Sequence, residues 1–190
     1  MTGPMKRPWV VLVAIAIGLA VGVGLYLWYP ATPIYTLTQV RQAVRTHDWQ
    51  AFTTRVDVDS VVDNVALDMA AIMREAMERK DLSKVLTKSL GALIAIKVRT
   101  SLHRELKDWV TGESSGRKGF LSSILPKNTG EVALHLKTVS WWGATARARV
   151  ALGADTTLVL ELVKKDGAWR VARVLNVREL YEKSRARQSP

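Results

Sequence analysis

Residues 9–29, WVVLVAIAIGLAVGVGLYLWY, run for 21 positions without a charged side chain. At about 1.5 Å per helical residue, such a run crosses a hydrocarbon core of roughly 30 Å. Whatever the rest of the chain folds into is therefore expected to be held at a membrane. Trp9 at one end and Tyr26, Trp28 and Tyr29 at the other stand where amphipathic rings favour the headgroup level. Lys6 and Arg7 precede the run, and no charge follows it before Arg41. The positive-inside rule then keeps residues 1–8 in the cytoplasm and carries the remainder across a bacterial inner membrane into the periplasm. The apolar stretch exceeds the usual signal-peptide core, which favours an uncleaved, single-pass signal-anchor over cleavage near Ala20-x-Gly22. Ala14, Gly18 and Gly22 recur every four residues, the spacing that lets two helix backbones approach, and form a candidate homodimer face.

Pro30 to Pro190 is the length of one ordinary domain. All but two of the 28 basic residues and all 17 acidic ones fall there, so the domain carries +9 and is attracted to anionic surfaces. There is no cysteine, which excludes thiol catalysis, cysteine-bound metal, a disulfide framework and lipoprotein attachment.

The helical half is expected over 33–110. Leu37, Val40, Ala43 and Val44 stripe a first helix that starts near Thr32–Pro33, has Thr36 and Gln39 at capping-box spacing, and ends near His47. Asp48 can cap a short helix holding Trp49 and Phe52. Val61, Val62, Val65, Met69, Ile72, Met73 and Met77 step by three and four along a longer one. Asp59 or Ser60 is its expected cap, with Asp63 in its first turn. A second long helix is expected from about Ser83 to Val110, apolar nearly all round between Leu90 and Ile96. Residues 111–130 read as a loop with Phe120 and Leu121 in its apolar cluster. Over 131–175 the period becomes two. Strands are expected around Val132–Lys137, Ala144–Leu152, Thr156–Lys164 and Trp169–Leu175, with Asp166-Gly167 a hairpin signal and Trp141-Trp142 at a strand junction. Short connections make an antiparallel meander the economical sheet, and Asn176 is placed to cap a last helix, residues 176–187. The fold class is thus α+β: an N-terminal transmembrane helix at 9–29, then an extracytoplasmic domain at 30–190 with four or five helices packed on a four-stranded antiparallel sheet.

Pro33-x-Tyr35-x-Leu37-x-x-Val40-x-x-Ala43-Val44, with Asp48, Phe52 and Val56-Asp57 downstream, resembles the opening of a bacterial family of singly anchored envelope proteins known as a domain of unknown function. The likeness covers residues 30–65. It implies a small cell-envelope protein and brings no catalytic residues with it. Lys165-Asp166-Gly167-Ala168-Trp169-Arg170-Val171 is similar to the last hairpin of the cone-shaped folds typified by nuclear transport factor 2, in which a curved sheet often encloses an apolar pocket. Two long helices side by side depart from that fold, so the resemblance does not by itself imply a pocket here.

Chemistry-bearing motifs are sparse. Asp57, Asp59 and Asp63 lack the oxygen ligands and glycine of a calcium loop, and His47, His103 and His135 have no metal-ligand spacing. Neither a nucleophile elbow nor a phosphate loop is present. No catalytic, metal or cofactor residue is therefore assigned, and no cofactor is expected. Met69 and Met73 form a flexible ridge that fills a core or walls a pocket; Leu93 and Ile94 lie in the all-round apolar middle of the next helix, which means burial on several sides or an apolar partner, and a partner or lipid is expected in the cleft the helices form with the sheet. Trp141 and Trp142 point to opposite sides of a strand, leaving one ring free as a contact anchor. Arg147 and Arg149 share a strand face, and Lys84, Lys88, Lys97 and Arg99 are placed to orient an anionic headgroup. Strand aromatics of nucleic-acid readers are missing, so no nucleic acid is expected as a partner. These features favour a non-enzymatic binding or accessory protein of the envelope, engaging an envelope protein or an anionic lipid. The rival is an envelope hydrolase assembled from scattered groups such as Asp57 and His103.

Overall fold

Thr32 decides where the first helix of the domain begins. In the computed structural model, which describes residues 15, 17–19, 22, 28–78, 84–113, 120–121, 134–152 and 156–188, a 3-10 turn at Tyr29–Ala31 leads directly into helix α1, Pro33–Arg45. The Thr32 hydroxyl accepts from Tyr35 N at 3.2 Å, and Pro33 occupies the first turn, where its missing N–H costs nothing. Thr36, expected as the capping residue, lies one turn inside instead. It is buried, and its hydroxyl donates to the Trp169 carbonyl at 3.1 Å. Helix α1 ends in a Schellman motif: Asp48 N donates to Ala43 O and His47 N to Val44 O, with His47 at φ 56° where glycine is usual.

Asp48 caps α2, Trp49–Arg55, through Ala51 N, and Trp49 stacks on Phe52 as their spacing predicts. Helix α3, Val58–Glu78, is capped by Asp57, whose carboxylate accepts from Ser60 N at 3.2 Å, and not by Asp59 or Ser60. Asp63 lies in the second turn rather than the first, and it pairs with Arg99 at 2.7 Å. Helix α4 runs Lys84–Thr111 alongside α3. Its side chains through residue 95 lie outside the described residues, which includes Lys84, Lys88, Leu93 and Ile94.

Strands β1, Leu134–Trp142; β2, Thr145–Leu152; β3, Thr156–Lys165; and β4, Ala168–Val174, form one antiparallel sheet in chain order. β1 continues through Trp141–Trp142, so the pair sits in the strand against Ala146 and Thr145 rather than at a junction. Asp166 and Gly167 take φ values of 52° and 79°, both left-handed, as a two-residue hairpin turn between twisted strands requires. Val56 bridges to Val171 in parallel, and Asp57 N donates to Val171 O, so the outer edge of β4 is covered. Asn176 precedes helix α5, Val177–Gln188. Its side chain does not cap that helix; it accepts from Val159 N and donates to Thr157 O, standing in for a strand partner beyond the end of β4.

Alternation along β2 sends Ala146, Ala148, Val150 and Leu152 inward and Thr145, Arg147 and Arg149 outward. The helices cover the inner face, and the core joins Val44, Phe52, Val62, Val65, Met69 and Leu102 to Leu160, Leu162 and Trp169. Helix α5 is clasped to α3 by a two-point Arg178–Glu75 ion pair, which also holds the Arg178 pKa above its usual value. Within α5, a hydrogen bond from Lys183 keeps the Glu179 carboxyl below its ordinary range. That contribution is present at neutral pH and is lost as pH falls through the lowered value; at this exposed position it is small.

Among the described residues, no helix is long and apolar enough to cross a membrane. The expected anchor at 9–29 lies largely outside them. Its described members at 15, 17–19 and 22 are helical and exposed, and a Cβ built on Gly18 or Gly22 meets no atom within 4 Å.

Gly112 ends α4 at φ +75°, where a Cβ would lie 3.0 Å from the His47 ring. That ring is fixed by a hydrogen bond between Nδ1 and Val110 O at 3.0 Å. Gly112→Ala is expected to cost more than the roughly 1–2 kcal/mol of placing alanine in a left-handed conformation. Gly143→Ala, at φ +60° with open space around it, should cost that backbone term alone. Urea unfolding of both variants checks the difference, and equal losses would remove the His47 contact from the explanation.

Candidate ligand cavity

Between the helices and the sheet lies an apolar cavity of about 270 Å³. Register locates it. Toward the 143–144 and 166–167 turns, the inner face is filled by Ala146, Leu162 and Trp169, none of which lines the space. Toward the other end, Val150, Leu152, Leu158 and Leu160 form its floor, and Leu136 of β1 closes one side. Helix α1 supplies Leu37, Val40 and Val44; α3 supplies Val61, Val62 and Val65; α4 supplies Leu102, Leu106 and Trp109. Val177 and Leu180 of α5 seal the end, while Phe120 and Leu121 close over it, with Leu121 N held by the Glu105 carboxylate at 2.9 Å.

Of the 24 described lining residues, 22 are apolar; the other two are Thr38 and Arg41 on α1. The exposed members of the lining are Thr38, Arg41 and Leu136, so the cavity opens between α1 and the edge strand β1. Thr38 Oγ1 donates to Ile34 O at 3.0 Å, which spends its proton and leaves it able only to accept. Arg41 is the one charged group of the lining among the described residues. A dry void of 270 Å³ would forgo about 6 kcal/mol of packing at about 24 cal/mol per Å³, an upper figure because the mouth is open. Few polar groups are present to hold water, so hydrocarbon suits the space.

The residues singled out from sequence go elsewhere. Met69 is packed in the core and Met73 against it, and neither lines the cavity. Arg147 and Arg149 are exposed on the outer sheet face, Arg147 opposite Glu161. Trp141 and Trp142 are both exposed at the end of β1, so neither ring is a core residue, although alternation led one of them to be expected there. Arg99 is engaged by Asp63 and Asp59 rather than free for a headgroup. Ala14 lies outside the described residues. Asp57 is spent on its cap, and His103 meets Trp49 edge-on at 6.0 Å. No group of three or more metal-binding side chains occurs among the described residues. Arg41 was missed, although a signal existed: it stands four residues after Leu37 and three before Val44, on the apolar stripe itself.

A family model described as "Protein of unknown function (DUF2939)" matches residues 23–101. The likeness to a family of unknown function is therefore shown, over a longer stretch than the 30–65 expected. It covers α1–α3 and much of α4, the helical wall of the cavity, and stops short of the sheet. No curated protein and no solved structure matches the chain, so the similarity to cone-shaped folds rests on one hairpin. The apolar pocket that such folds often hold is nonetheless present.

Proposed function

Because a family of unknown function lends no activity, we propose from the geometry that this chain is a membrane-anchored, non-enzymatic binding module of the bacterial cell envelope. Its cavity takes the hydrocarbon chain of a single-chain anionic amphiphile. One observation carries the reading: among the described residues the lining is almost wholly apolar, and its charged member there, Arg41, stands at the mouth. Burying a methylene there is favourable by about 0.8 kcal/mol, and a guanidinium at the opening pairs with a carboxylate, phosphate or sulfate head. The 9–29 run supports the anchor, since Ile15, Ile17 and Leu19 are bare helical apolar side chains that the domain does not cover. The charge asymmetry around that run supports a periplasmic domain.

The test is a chain-length series. Full-length protein in amphipol, loaded with the fluorophore anilinonaphthalene sulfonate, is titrated with saturated carboxylates of increasing length. Each added methylene is expected to tighten displacement about fourfold until the cavity is full, after which the gain stops. An affinity independent of chain length would rule out the cavity as the site.

A further inference from the structure

We propose that the tip of the β1–β2 hairpin is a second membrane-contact site, laying the turn end of the sheet on an anionic bilayer. The inference rests on the anchor reading above for its orientation, and on the following geometry for its position.

From Trp28 onward the chain has no slack. Trp28 is helical, the 3-10 turn follows at once, and α1 begins at Pro33. Tyr29 packs edge-on against Tyr35 of α1 at 5.4 Å. The exit is also tied to the sheet: the Trp169 indole N–H donates to Ala31 O at 2.9 Å. Trp169 opposes Lys164, and Lys164 N donates to Ala144 O at 2.7 Å. Ala144 and Gly143 form the turn that follows Trp142. The anchor exit, the 166–167 turn and the 143–144 turn are thus joined at one end of the sheet. Three strand spacings of about 4.8 Å separate β4 from β1, so the Trp tip stands roughly 15 Å sideways from the exit.

Side chains at this end have the chemistry of an interface. Trp142 is 90% exposed and Trp141 43%, and alternation aims them to opposite sides of the strand tip. Trp28 is 59% exposed on the exit itself. Tryptophan favours the headgroup level, with its ring in hydrocarbon and its N–H in polar surroundings. Lys164 and Lys165 are exposed beside the tip, and Arg147, opposite Glu161, lies two residues up β2 from the tip pair Trp142–Thr145. Asp166 is the exposed acidic residue among them, so the balance favours anionic headgroups. A protein partner would also accept exposed tryptophans. The position next to the exit favours the bilayer, because the Trp169–Ala31 and Lys164–Ala144 contacts hold the tip at a fixed sideways offset from Ala31, at the same end of the sheet.

The chain contains no cysteine, so single labels are unambiguous. Full-length Ala144→Cys and Lys137→Cys are each labelled with a nitrobenzoxadiazole fluorophore and reconstituted into phosphatidylcholine–phosphatidylglycerol vesicles. Lys137 serves as the comparator, because it is exposed and about 17 Å back along β1 from Trp142. The label at 144 is expected to be quenched by nitroxide lipid and shielded severalfold from aqueous iodide relative to the label at 137. Adding Trp142→Ser, an exposed change that leaves packing intact, should abolish the shielding. Equal iodide access at both positions overturns the proposal, and so does shielding that survives Trp142→Ser. Alkaline carbonate separates this from the anchor: protein that resists extraction with its 144 label in water keeps the anchor and loses the contact. Protein released by carbonate after showing a shielded 144 label keeps the contact and loses the anchor.

Discussion

Trp169→Ala is expected to destabilise the domain by about 3–5 kcal/mol, the range for emptying a buried aromatic site. Trp169 is 4% exposed and ties three elements together. Its ring lies in the core, its indole N–H holds Ala31, and its carbonyl accepts from the buried Thr36 hydroxyl. Loss of the ring leaves a void beside Leu162 and strips the exit segment of its tie to the sheet. Trp169→Phe keeps most of the apolar contact but leaves Ala31 O without its donor, at about 1 kcal/mol for the hydrogen bond plus what the smaller ring gives up. Urea unfolding in detergent, followed by circular dichroism, should give the two midpoints in that order with a common slope. Near-wild-type stability of Trp169→Ala would mean that the exit and the sheet are not coupled through this residue.

Val150→Trp is expected to abolish most amphiphile binding while leaving stability unchanged or raised. Val150 lies on β2 with its side chain on the cavity floor, so a larger ring enters open space rather than a packed core, where overpacking is destabilising. If the indole displaces three methylenes of ligand, affinity falls about sixty-fold, at about fourfold for each. Arg41→Glu acts on the other end of the ligand. Carboxylates and sulfates should bind about ten-fold more weakly, whereas a fatty alcohol of equal length should be unaffected. Equal loss for the charged and uncharged series would take Arg41 out of headgroup recognition and leave the cavity intact.

Much of the architecture was legible because it depends on local periodicity. The switch from steps of three and four to steps of two near residue 131, the Asp166-Gly167 pair and the short connections suffice for helices followed by a meander. Caps were misplaced where one acceptor sits among several candidates. Asp57, Asp59 and Ser60 all have capping chemistry, and what selects Asp57 is the bridge of Val56 to Val171, a partner more than a hundred residues away. Thr36 has the right spacing for a cap, but the Trp169 carbonyl takes its hydroxyl. The end of α1 has no glycine to announce it, because His47 adopts the left-handed conformation and gains a bond to Val110. A cleft between the apolar helices and the sheet was expected as the place of binding, but neither an enclosed cavity nor its lining was legible. The cavity lies where α1, α3, α4 and α5 meet the sheet, and periodicity reports which face of an element is apolar, not how far apart two apolar faces come to rest. Methionines chosen for their flexibility fell in the close-packed part, while the rigid valines of β2, β4 and α3 line the space.

The most direct measurement is native mass spectrometry of the full-length chain released from its own membrane in mild detergent, with the Val150→Trp protein beside it. One anionic single-chain amphiphile per protein is expected on the wild type, lost from the variant and weakened by Arg41→Glu. A chain that emerges empty, or that carries the same adduct in the Val150→Trp protein, would contradict the assignment of the cavity as a hydrocarbon-binding site.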